Sequence, residues 1–151
     1  MKSNEFKQGI FAFLMERSFL RRGNLMCFSG NGAQIAVGVE KGFGQQWFVN
    51  VGFCLDRIGI GEITRIEQSH MYFRLDRLFA QHRELIVWAG ALDDMEQPRK
   101  YEVFLSLLAS EVGEELKKFS SEQAIADAYR AGRFREGLIT KPARDLLSSS
   151  T

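Results

Sequence analysis

From Trp47 to Leu55 every odd-numbered residue is a large apolar one, Trp47, Val49, Val51, Phe53 and Leu55, with Phe48, Asn50, Gly52 and Cys54 between them. A period of two sends alternate side chains to opposite faces of an extended chain, so the odd positions define the buried face of a β-strand. Few patterns constrain a fold more, because a strand needs neighbours. The preceding segment supplies one: Ile35, Val37 and Val39 alternate with Gln34, Ala36, Gly38 and Glu40, and Gly42-Phe43-Gly44 closes the run. Leu25 to Phe28 reads as an earlier strand, set off by the turn residues Gly23-Asn24 and Ser29-Gly30-Asn31-Gly32. Beyond the loop Ile58-Gly59-Ile60-Gly61, Met71, Phe73 and Leu75 alternate with His70, Tyr72, Arg74 and Asp76, which predicts a strand over 70–76. Leu75, Leu78, Phe79 and His82 also fit a helical turn, while Leu85 to Ala89 resembles a further strand.

Helical spacing governs the ends of the chain. Phe6, Ile10, Phe13 and Leu14 fall on one stripe, predicting a helix over residues 4–17 with Ser3 or Asn4 as its cap. Tyr101, Phe104, Leu105, Leu108, Val112 and Leu116 predict a single long helix, and Ser120 with Gln123 forms a capping box for another over residues 121–131. The polar stretch Asp93 to Pro98 is expected to be a mobile surface loop. Strands grouped ahead of helices imply an α+β fold, with a single antiparallel sheet of about five strands. The N-terminal helix and two C-terminal helices should pack on one face. Residues 1–147 are expected to be one domain, and 148–151, all Ser or Thr, a frayed tail.

Charge and composition exclude several function classes. Twenty basic side chains against nineteen acidic ones leave a net charge of +1, which gives no broad field for a phosphate backbone or an anionic membrane. Nucleic-acid partners are therefore disfavoured. The apolar run Gly9 to Met15 lies between Glu5 and Glu16-Arg17 without a cleavage site, so no secretory leader is expected there, and Leu85 to Leu92 is too short to span a bilayer. With only Cys27 and Cys54, a disulfide scaffold is disfavoured and a reducing, cytoplasmic setting fits better.

Several short motifs occur in a telling order: Ser18-Phe19-Leu20-Arg21-Arg22-Gly23-Asn24 after the first helix, then Trp47-Phe48-Val49-Asn50-Val51-Gly52. His70, Arg74-Leu75, Trp88 and Phe119-Ser120-Ser121-Glu122 follow. In this order the chain resembles a bacterial domain-of-unknown-function family, the one numbered 4304. The resemblance spans most of the chain and implies a fold and a bacterial origin, but no activity. Where the family often carries a second aromatic beside Trp88, this chain has Val87 and Ala89.

Few side chains stand in patterns that carry chemistry. The paired glycines of Gly30-Asn31-Gly32, Gly42-Phe43-Gly44 and Gly59-Ile60-Gly61 continue into neither a dinucleotide fingerprint nor a P-loop, and turn chemistry accounts for them. No cofactor is implied. His70 and His82 lack the spacing of a metal site, and Asp93, Asp94 and Glu96 lack the pattern of a calcium loop. A thiolate–imidazole pair of Cys27 or Cys54 with His70, oriented by Asn50, competes with the plainer reading of buried strand cysteines. What remains is a polar stripe. On a strand over 70–76, His70, Tyr72, Arg74 and Asp76 share one face, and Ala36, Gly38, Asn50 and Gly52 would leave a shallow depression beside them.

Asn50, His70, Tyr72, Arg74 and Asp76 are thus the candidate binding residues, on what is otherwise the wet face of a sheet. With no cofactor motif and no assembled nucleophile, the expected function is non-catalytic: a small bacterial cytoplasmic protein-binding domain, such as an immunity protein that neutralises a cognate toxin. The competing expectation is a small-molecule-binding or hydrolytic enzyme using His70 with Arg74. Trp47 and Trp88 are assigned to the core, against the long C-terminal helix.

Overall fold

A computed structural model describes residues 1–59 and 61–149 of the chain. Among these, the strands β1 (Leu20–Arg22), β2 (Leu25–Ser29), β3 (Ala33–Lys41), β4 (Trp47–Leu55), β5 (Met71–Arg74) and β6 (Leu138–Ile139) form one antiparallel sheet. They lie side by side in chain order. The fold is α+β, as the grouping of strands before helices predicts. Its sheet has six strands, because the short edge strands β1 and β6 carry too few residues to show a period.

Register follows the hydrophobic pattern. Val37 faces Val51, Ile35 faces Phe53, and Val51 in turn faces Phe73, so the odd face of β4 is continuous with those of its neighbours. The helices α1 (Ser3–Glu16), α4 (Gln97–Ala109), α5 (Glu111–Lys118), α6 (Glu122–Arg130) and α7 (Lys141–Ser149) cover that face. Phe6, Ile10 and Leu14 of α1 join Tyr101, Phe104 and Leu108 of α4 in the core. Phe53, Phe73, Phe119 and Phe134 form a ring cluster with centroids 5.1–5.7 Å apart, tying β4 and β5 to the helical layer.

Several expectations are corrected. Asp76 belongs not to a strand but to α2 (Leu75–Leu78), and the helical alternative at Leu75, Leu78 and Phe79 is the one realised. Residues 85–89 are likewise not a strand: they lie in α3 (Arg83–Ala89), with Ile86 and Ala89 buried one turn apart. No strand can follow β5 there, since its open side is taken by β6. The single long helix is instead α4 and α5, separated at Ser110. The Ser106 and Ser110 hydroxyls donate to carbonyls four residues back, an arrangement that bends helices, and Gly113 admits the Leu108 carbonyl where a Cβ would stand 2.0 Å from it. The Asp93–Pro98 stretch is a short turn running into α4, with Pro98 in the first helical turn.

The caps shift as well. Lys2, not Ser3 or Asn4, precedes α1, and the hydroxyl of Ser121, not Ser120, accepts the Ala124 amide at the start of α6. Ser148 and Ser149 are helical, whereas Ser150 and Thr151 of the expected tail lie outside the described residues.

The second face of the sheet is not simply wet. The segment after β4 crosses it, and Ile63 and Ile66 pack on Leu25, Cys27, Ala36 and Cys54, with Tyr72 against them. Gly52 is required here: a Cβ on it would stand 2.1 Å from the Ser69 hydroxyl. The shallow depression expected at Ala36, Gly38 and Gly52 is therefore filled, and beside Asn50 a cleft lies toward the Arg74 end.

Candidate functional site

Antiparallel pairing sets Asn50 opposite Arg74 and Gly52 opposite Tyr72, which brings three of the five candidate residues together. Asn50, Tyr72 and Arg74 line a cleft of about 580 Å³ with Glu40, Glu67, Arg77, Glu136 and Leu138. Asn50 is committed within it, its amide donating to Glu40 Oε2 at 2.6 Å. Asp76 is only 1% exposed and cannot meet a ligand itself. Its carboxylate instead accepts from Arg74 Nε and Nη2, both at 3.1 Å, while the guanidinium lies over the Phe48 ring, 3.7 Å from its centroid. A planar side chain held on an edge and a face has little freedom left.

Arg74 also lines a second, larger cleft of about 860 Å³, so it forms the wall between the two. Phe48 enters this cleft from β4 and Gln46 from the turn just before it, and Ala80, Gln81, Arg83, Glu84, Val87 and Trp88 from the helical turns that follow β5, with Ala91 and Asp94 beyond. Trp88 is half-buried, not core: its indole N–H donates to Asp94 Oδ1 at 3.0 Å, and Lys100 Nζ lies 4.4 Å from the ring centroid. Trp47, also half-buried, does pack against the core. Asp94 additionally accepts the Glu96 amide, and the Trp88 N–H together with that amide holds its carboxyl below the usual value. Gln46 donates to the Val87 carbonyl at 2.9 Å, fastening the β3–β4 hairpin to α3. Phe43 on that hairpin and Met95 beside Asp94 are 99% and 96% exposed.

His70 lies elsewhere. Its Nδ1 accepts the Leu55 amide at 2.8 Å, Nε2 finds no partner among the described residues, and burial pushes its pKa down. It shares a small cleft of about 380 Å³ with Cys54, not with Arg74. Burial pushes the Cys54 thiol up, and the His70 amide offsets this only in part. Raising a thiol and lowering an imidazole both favour the uncharged pair, the opposite of an activated nucleophile, and Asn50 turns to Glu40 rather than to the imidazole. Both cysteines are free and buried. Among the described residues no three His, Cys, Asp or Glu side chains are grouped to hold a metal ion, and no helix is long and apolar enough to cross a membrane.

Sequence reasoning missed Arg83 and Trp88 as surface groups. The available signal was the helical reading of residues 75–82, which, carried forward, places Ile86 and Ala89 inward and Trp88 toward the cleft. Comparison with protein-family models, curated proteins and solved structures finds no match to the chain.

Proposed function

We propose that the chain is a non-catalytic, cytoplasmic protein-binding domain of the bacterial family numbered 4304, of the toxin-neutralising immunity kind, and that it receives its partner at the Phe48–Trp88 cleft. One observation carries this reading: an open cleft presents two aromatic side chains and a fixed guanidinium together. Trp and Arg in a sheltered pocket are the residue types that dominate binding energy at protein interfaces. Exposed Phe43 and Met95 on the bordering segments add apolar contact area of the sort that partners cover. The imidazole and both thiols lie outside this cleft, and Arg74 faces Phe48 and Asp76 rather than His70.

The test is co-purification with the product of the neighbouring reading frame, using the wild-type chain and Trp88→Ala. The substitution should weaken capture by at least about thirtyfold, the effect of a hot spot worth roughly 2 kcal/mol, while the melting temperature changes little. Capture that survives Trp88→Ala in a folded protein rejects the cleft as the site.

A further inference from the structure

We infer that this cleft recognises an acidic side chain lying next to an apolar one on the partner, with Arg74 receiving the carboxylate. This rests on the proposal that the Phe48–Trp88 cleft is a protein-binding site, and it names the chemistry of what enters. Arg74 has one unused edge. Asp76 takes Nε and Nη2, and Phe48 covers one face of the plane, but Nη1 donates to nothing among the described residues. An ion pair serving only to bury Asp76 would be complete with the guanidinium enclosed; here the side chain stays 32% exposed and borders both clefts. A guanidinium so oriented is prepared to donate to one planar acceptor, because its geometry is set before the ligand arrives.

Charge in the cleft agrees with one carboxylate rather than several. Asp76 offsets Arg74, but Arg83 in the same lining is exposed and makes no ion pair among the described residues. The cleft's own acids, Asp94, which stays charged while it accepts the Trp88 indole and the Glu96 amide, and exposed Glu84, discourage a longer acidic run. Between these charged ends lie Phe48, Ala80, Val87, Trp88 and Ala91, an apolar floor that suits the neighbouring side chain of the same segment.

The experiment is a titration of the full chain, followed by ¹H–¹⁵N correlation spectra, with acetyl-Glu-Phe-amide, acetyl-Gln-Phe-amide and acetyl-Phe bearing a free terminal carboxylate. The Trp88 indole N–H and the Arg74 Nε–H report directly, since Asp94 and Asp76 hold both. The Glu dipeptide should shift both signals and saturate in the millimolar range, with the Gln dipeptide at least about tenfold weaker. Arg74→Lys, which keeps the charge but loses the fork, should erase the preference for Glu. Should that variant unfold, Arg83→Gln at an exposed position should still weaken the Glu dipeptide by about threefold or more. Equal affinity for the Glu and Gln dipeptides overturns the inference, as does tighter binding of acetyl-Phe, which would assign the carboxylate to a chain terminus. If no ligand moves either signal the inference also fails, while Trp88-dependent capture of a whole partner is decided by its own experiment.

Discussion

At the scale of single residues, His70 is the group whose environment has the clearest consequence in solution. Its ring is buried, and Nδ1 must stay unprotonated to accept the Leu55 amide. Burial lowers its pKa from 6.5, whereas the unfolded chain keeps the ordinary value. As pH falls through about 6.5 the unfolded state binds a proton that the folded state refuses, so stability present at higher pH is lost. The slope approaches ~1.4 kcal/mol per pH unit until the lowered pKa is reached. Urea midpoints between pH 7.5 and about 5 should therefore fall for the wild type, and fall less for His70→Asn, which keeps an acceptor without the titration. Parallel curves for the two proteins would show that His70 charges as freely in the fold as outside it.

Between elements, the crossing of α1 and α4 is fixed by one glycine. The Tyr101 hydroxyl donates to the Phe6 carbonyl at 2.8 Å, and burial pushes its pKa up to about 12, so it remains a donor across the whole working range of pH. A Cβ on Gly9 would lie 2.1 Å from that oxygen. Alanine in a helix interior normally gains about 1 kcal/mol over glycine, but here the overlap should reverse the sign and cost about 1–3 kcal/mol. Removing the hydroxyl with Tyr101→Phe should return most of that loss, a coupling that a double-mutant cycle of denaturation midpoints measures. Additive costs would place the strain elsewhere. The amphipathic stripes of both helices were readable in the sequence, but their distance was not. Periodicity reports which face is buried and is silent on how closely two backbones approach, just as it runs unbroken through the Ser110 interruption between α4 and α5.

Over the whole molecule, scaffold and recognition surface should separate under mutation. Phe134 lies within the four-ring cluster that joins the sheet to the helices, and Phe134→Ala should cost about 3–5 kcal/mol, a large share of an ordinary domain's stability. Trp88→Ala, at a half-buried site, should cost clearly less by the same thermal or urea measurement. Comparable losses would return Trp88 to the core. The buried face of β4 was legible because alternation needs only local residues. The cleft was not, since it joins Phe48 to Arg74, Arg83 and Trp88 across the change from β5 into helix, where a short apolar run fits either period. Of the polar stripe, Tyr72 and Arg74 kept their shared face because both lie within β5, while Asp76 turned inward with the first turn of α2. The sheet's outer strands, of three and two residues, carry a further consequence. Margins so short offer little backbone on which a foreign strand could grow. Association must instead be written in side chains, where a single substitution can retune who binds.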